Sequence, residues 1–206
     1  MIITAKQGRG DKVHVSVDGE YLPTVDREFW FSQGIASGGE VAPERLEQLK
    51  VQAEFRRAYN RALGILSYAP KSRRALLERL IRDGVSPDAA ERAADQLEEY
   101  GLLNDAEYAA LYAEELLRNK KVSARGAVDK LVSRGISREL ARAAVADLPF
   151  DEESGIEDLL RGKLSYFSRS PRDRDRAVAA LARRGYAYSD IRRVMERLCE
   201  EFDSGE

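Results

Sequence analysis

The spacing of apolar residues changes once along this chain, and the change divides it. In "KVHVSVDGEYLPTV" (12–25) apolar and polar residues alternate around Asp18-Gly19. Side chains in a strand point alternately to opposite faces, so Val13, Val15 and Val17 share one side, and Asp-Gly is a strong hairpin signal. "IITAKQ" (2–7) reads as a third strand. "DREFWFSQG" (26–34) reads as a short helix capped by Asp26 and stopped by Gly34. "ASGGE" is then a loop, and a long helix runs from Pro43 to about residue 68, with Pro70 just past its end.

Beyond residue 70 the pattern is helical throughout and repeats. "ERLIRDGVS" (78–86), "DKLVSRGIS" (129–137) and "AALARRGYA" (179–187) align on Gly84, Gly135 and Gly185, which lie 51 and 50 residues apart. Each glycine follows a leucine by four positions (Leu80, Leu131, Leu181) and suits the left-handed residue that ends a helix. Twelve positions before each glycine stand Ser72, Ser123 and Asp173, all good N-caps. They predict a middle helix of about eleven residues in each unit. After each glycine an apolar face follows at i, i+3, i+4, i+7: Ala90, Ala93, Ala94, Leu97; Ala141, Ala144, Val145, Leu148; Ile191, Val194, Met195, Leu198. "RALGILSY", "DAEYAALYAEELLR" and "IEDLLRGKLSYFS" supply the first helices.

The predicted fold is therefore mainly α: three tandem three-helix repeats forming an elongated, curved solenoid, preceded by a small N-terminal β-hairpin or three-strand segment. The expected divisions are a β-rich segment (1–42), the long helix with repeat 1 (43–100), repeat 2 (101–149), repeat 3 (150–199) and an acidic, frayed tail (200–206).

Composition narrows the chemistry. The 206 residues are 43% hydrophobic and 34% charged, with a net charge of -2. The chain is no polycation, so affinity for nucleic acid would have to come from local patches. One cysteine, Cys199, excludes an internal disulfide and a cysteine metal cluster, and fits a reducing cytoplasm. No apolar run reaches the length of a membrane span. His14, the only histidine, alternates with valines and reads as an exposed strand residue. "GRG" (8–10) reads as a turn, and "RGD" (9–11) lacks the secretion signal an adhesion role would need. Asp105 and Glu107 fit the positive end of a helix capped by Asn104 or Asp105. No nucleotide loop, nucleophile elbow or metal-loop spacing is present, so neither an enzyme nor a cofactor or metal is expected.

The basic residues recur with the repeat. Lys71, Arg73 and Arg74, then Lys120, Lys121 and Arg125, then Arg169, Arg172, Arg174 and Arg176 flank the starts of the middle helices. Arg79 and Arg82, Lys130 and Arg134, Arg183 and Arg184 lie near their ends. Acids concentrate elsewhere, at Glu91, Asp95, Glu98 and Glu99 and at Asp151, Glu152, Glu153, Glu157 and Asp158. Regular stacking would line the cations up as a basic track for a polyanion, or for a partner that carries one. Aromatic residues suited to base stacking look sparse on that track.

Several of these stretches together resemble the RecX family, regulators of the RecA recombinase. "Gly101-Leu102-Leu103-Asn104-Asp105" with Tyr108-Ala109, the series Leu66, Lys71-Ser72, Leu76, Leu80, Gly84, and Leu131 with Arg134-Gly135-Ile136 are similar to the family's patterns over residues 58–198. The strand-rich N-terminus is similar to an extension some members carry. Ala69, Ala75 and Ser123 stand where the family often has Arg, Glu and Gly. The resemblance implies an inhibitor that binds the groove of the RecA–DNA filament and blocks extension or promotes disassembly, suppressing ATP hydrolysis, strand exchange and the coprotease activity behind the SOS response. Nothing in the sequence demands a dimer, so a monomer is expected. It leaves direct contact with single- or double-stranded DNA open. The candidate contacts are Lys71, Arg73, Arg74, Arg79, Lys120, Lys121, Arg125, Lys130, Arg134, Arg172, Arg174, Arg183 and Arg184. The alternatives are a direct DNA-binding helical-repeat protein and a protein-interaction scaffold.

Overall fold

The structure, a computed structural model, describes residues 1–22, 24–168 and 170–204. It consists of two compact units, Met1–Asn104 and Asp105–Glu206.

In the first unit, β1 (Ile3–Gln7), β2 (Lys12–Val17), β3 (Glu20–Tyr21) and β4 (Val25–Asp26) form one antiparallel sheet. β2 is central. It pairs with β1 in the register Ile3↔Val17, Ala5↔Val15, Gln7↔Val13, and with β3 and β4 on its other edge. The Asp18-Gly19 turn has positive φ at both residues (48° and 92°), the geometry of a tight hairpin. Val13, Val15 and Val17 are buried together, as the alternation requires.

They pack under α1 (Arg27–Ser32), whose Phe29 amide donates to the Asp26 carboxylate at 2.7 Å, and under the first half of α2 (Pro43–Tyr68). α2 serves two cores. Leu46, Leu49 and Ala53 face the sheet, whereas Ala58 and Ala62 face α3 (Arg73–Arg82) and α4 (Pro87–Glu99). The step from Ala53 to Ala58 is five residues, which at ~100° per residue turns the buried face well round the helix. One helix thereby roofs the sheet and then becomes the first helix of repeat 1.

The second unit holds two repeats, each with its own core. Repeat 2 consists of α5 (Asp105–Glu114), a π-helical turn (Glu115–Asn119), α6 (Ala124–Ser133) and α7 (Arg138–Ala146). Repeat 3 consists of α8 (Glu152–Arg161), a 3-10 turn (Ser165–Ser168), α9 (Pro171–Ala182) and α10 (Tyr188–Ser204). Leu148 falls just beyond α7 but packs, partly buried, against the same core.

The repeated phrase has a single physical meaning. Gly84, Gly135 and Gly185 have φ of 83°, 95° and 93°. Their amides bond back to Ile81, Val132 and Ala182, while the next amides (Val85, Ile136, Tyr186) reach Leu80, Leu131 and Leu181. This is the Schellman ending, with its apolar residue just after the glycine. Val85, Ile136 and Tyr186 are all buried. Ser86 and Ser137 then cap the following helices.

One predicted cap is corrected. Ser72 and Ser123 cap α3 and α6, but Asp173 does not cap α9. Ser170 does, accepting from the Asp173 amide at 3.2 Å, with Pro171 at the first helical position. Proline there has its φ preset and loses no intrahelical bond, so α9 starts earlier than the glycine alignment implies. At the other end of repeat 3, α10 continues to Ser204, through much of the expected tail, and residues 205 and 206 lie outside the described residues.

Leu131 is fully buried on α6. Leu131→Ala is expected to lower unfolding free energy by about 2–5 kcal/mol in urea denaturation, and an unchanged midpoint would show the register of α6 to be wrong.

Candidate partner-binding surface

Repeats 2 and 3 meet backbone to backbone. The Ser123 amide donates to the Arg184 carbonyl at 3.0 Å. An added Cβ at Gly126 would lie 2.2 Å from that oxygen, and one at Gly185 would lie 2.6 Å from the Gly126 Cα. The start of one middle helix therefore sits on the end of the next, with glycine on both sides of the joint. The Glu152 carboxylate accepts from the Ala124 amide at 2.8 Å, at the positive end of α6. Burial pushes that carboxyl above its ordinary range. The Tyr186 hydroxyl donates to the Lys121 carbonyl at 3.1 Å, and burial pushes the phenol well up. Lys121 has φ of 48° and its ammonium reaches Asp158 at 2.7 Å, so this left-handed residue is held by repeat 3.

The joint draws together cations from non-equivalent positions. Arg125, in the first turn of α6, adjoins the α9 terminus that carries Arg183 and Arg184. The Arg184 guanidinium donates to the Ala180 carbonyl at 2.9 Å, while Arg125 and Arg183 make no ion pair among the described residues.

Other candidates are already engaged. Arg73 reaches Glu91, Asp95 and Glu98 at 2.6–2.7 Å, so the acids expected on a separate face close over the start of α3. Those carboxylates hold the guanidinium above its ordinary pKa against the burial that lowers it. Arg74 pairs with Glu78, and Arg79 shares Asp83 with Arg61. The two guanidiniums hold the Asp83 carboxyl below the usual range. Lys120 pairs with Glu115, and Arg176 with Asp173. Lys71, Lys130 and Arg172 have no ion pair among the described residues. Nor has Arg174, which lines an open cavity of about 260 Å³ with Tyr188 and Arg192. Arg169 lies outside the described residues.

In repeat 2 two tyrosines meet the basic residues, Tyr108 from the buried core and Tyr112 from its partly buried edge. Arg134 donates to the Tyr108 hydroxyl at 3.0 Å, and its guanidinium carbon stands 4.2 Å from the centre of the Tyr112 ring. Lys120 lies 5.3 Å from the same ring, and Tyr108 and Tyr112 stack at 5.9 Å. Helical spacing of Tyr108 and Tyr112 was visible in the sequence. Their meeting with Arg134, 22 residues beyond Tyr112 in the chain, depends on how α5 and α6 pack. Among the described residues no group of acids, histidines and cysteines could hold a metal ion, and no helix is long and apolar enough to cross a membrane.

Gly126→Ala is expected to cost about 1–3 kcal/mol through overpacking and to speed hydrogen exchange at the Ser123 amide, and unchanged exchange there would contradict the joint. Arg73→Ala is expected to lower stability on the order of 1 kcal/mol, because its acidic partners are half exposed and screened. Unfolding in urea measures this, and no loss would mean the three carboxylates are incidental.

The family model for the first three-helix domain of RecX matches residues 58–97, spanning the end of α2, α3 and α4. The regulatory protein RecX of Caldanaerobacter subterraneus subsp. tengcongensis is 30% identical over 156 residues, 74% of this chain and 79% of that protein. That of Clostridioides difficile is 24% identical over 208 residues, 98% of this chain and 97% of its own. A crystal structure of regulatory protein RecX superposes with a TM-score of 0.69 at 19% identity, covering 94% of this chain and 97% of the other. RecX from Lactobacillus salivarius gives 0.58 at 21% identity, covering 70% and 96%. At those identities the solved structures bear on the fold. With the sequence relationship over most of both chains, they place this protein in the RecX family of regulatory proteins.

Proposed function

We propose that this chain inhibits the RecA recombinase without catalysing a reaction, by binding along the RecA–DNA filament in the cytoplasm. The observation that carries the reading is the joint between repeats 2 and 3. There one three-helix unit follows another through their middle helices, and Arg125 and Arg183 stand beside it with no ion pair among the described residues. A protein built by repetition suits a target built by repetition, because equivalent surfaces can meet successive protomers. Arg125 and Arg183, with Lys71, Lys130, Arg172 and Arg174, are the contacts we assign first. Arg73, Arg74, Arg79, Lys120, Lys121 and Arg184 serve the fold through their internal partners.

A second reading is supported by the partly buried Tyr112 with Arg134 and Lys120 beside its ring, Tyr108 being buried beneath it. Tyrosine faces backed by cations are the chemistry of single-strand binding. The two readings separate in one assay, RecA ATP hydrolysis on single-stranded DNA with this protein titrated below the RecA concentration. Inhibition at strongly substoichiometric ratios is expected, weakened at least fivefold by Arg125→Glu with thermal stability unchanged. No inhibition with DNA binding retained would instead favour the single-strand reading. No inhibition and no DNA binding would leave a helical-repeat scaffold.

A further inference from the structure

A second concave site lies in the first unit, where the sheet meets α2. An open groove of about 530 Å³ is bounded by the β1–β2 turn, by β2 and β4, and by the middle of α2. Its walls bring together four cations from three stretches of chain: Arg9 on the turn, Lys12 on β2, and Arg56 and Arg57 on α2.

These cations are not equivalent. Arg56 is fixed, its guanidinium 3.0 Å from Asp26 and 2.7 Å from Glu28, and Asn60 donates to the same Asp26 carboxylate at 3.3 Å. That network neutralises Arg56 and stiffens the wall. Arg9, Lys12 and Arg57 have no ion pair among the described residues, and the remaining acid on the groove is Asp11. Across the described residues many other arginines pair internally, as the helical repeats illustrate. Holding unpaired cations close together is electrostatically unfavourable unless an anion joins them.

The turn is built for close approach. The Gly8 amide donates to the Lys12 carbonyl at 2.8 Å, Gly10 has φ of 68°, and an added Cβ at Gly8 would lie 2.6 Å from the His14 Nε2. The Arg27 amide donates to the Asp11 carbonyl at 2.7 Å, tying the turn to α1. Across the groove, His14 Nδ1 and Thr24 Oγ1 lie 3.1 Å apart, adding polar groups to its lining.

We propose that this groove binds a phosphate-bearing ligand, with Arg9, Lys12 and Arg57 contacting phosphate oxygens. Guanidinium forks match phosphate geometry in two-point contacts, and lysine adds a point charge. The volume suits one or two nucleotides. The phosphates can come from a free nucleoside triphosphate or from the backbone of a nucleic-acid strand. The inference does not rest on the RecA reading, because the residues it uses lie on the sheet and α2 and none is among the cations assigned to the filament.

The test uses the full chain, a fluorescein-labelled fifteen-residue thymidine oligonucleotide in fluorescence anisotropy, and ATP in calorimetry. The variant is Arg9→Ala/Arg57→Ala, and Arg82→Ala, an exposed cation on α3, is the control. Thermal unfolding checks that both fold. If a strand is the ligand, the double variant weakens oligonucleotide binding at least fivefold and flattens the dependence of log K on log salt by about 1.4, or ~0.7 for each lost single-strand phosphate contact. If a free nucleotide is the ligand, ATP binding is lost in the double variant and kept in the control. An equal effect of Arg82→Ala would show bulk charge only. Unchanged affinity for both probes in the double variant, or no binding of either by the parent chain, would also overturn the site.

Discussion

The second unit depends on two backbones being allowed to touch. Gly126 and Gly185 let the Arg184 carbonyl reach the first turn of α6, where the Ser123 amide bonds to it. Any Cβ at Gly126 would lie 2.2 Å from that oxygen, far inside contact distance. Nearby polar groups of the second unit are arranged around this contact. Ser123 caps α6 from a buried position, Glu152 covers the next amide, and Tyr186 reaches past the joint to the Lys121 carbonyl. A buried backbone group must find a partner or lose free energy, and here the partners come from the neighbouring repeat.

The same economy explains the repeated phrase. Glycine ends a helix in the left-handed conformation, the next residue buries an apolar side chain, and in repeats 1 and 2 a serine opens the following helix. Three consecutive residues thus close one helix, anchor the corner in the core and start another. Repeat 3 keeps the first two steps with Gly185 and Tyr186 but follows them with Ala187 and Tyr188. There the larger Tyr186 also carries a hydroxyl to repeat 2, so the corner doubles as a link between repeats.

Electrostatics divides the basic residues by whether an acid lies within reach. Arg73 extends across the α3–α4 pair and gathers three carboxylates, so sequence periodicity marks it as basic while the fold consumes its charge. Arg125 and Arg183 have the same periodic origin and keep theirs. The near-balance of 34 basic and 36 acidic residues therefore conceals two kinds of cation, those that hold helices together and those without an acidic partner among the described residues.

The strands, the bounds of α2, the helix-ending glycines and the buried faces of the helices were legible in the sequence. Each depends on residues within a turn or two of one another: alternation at Val13, Val15 and Val17, proline at 43, Schellman glycines at 84, 135 and 185. The Ser170 cap was legible too, in a serine followed by proline, but the glycine alignment pointed to Asp173. What the sequence could not settle were meetings between residues far apart in the chain. Arg73 with Glu98, Arg134 with Tyr112, Gly126 with Arg184 and Arg57 with Arg9 are brought together by packing. Short-range geometry is dictated by φ, by caps and by the period of burial, which belong to each stretch of sequence. Which charges remain available to a partner is a property of distance in space, and only the tertiary structure decides it.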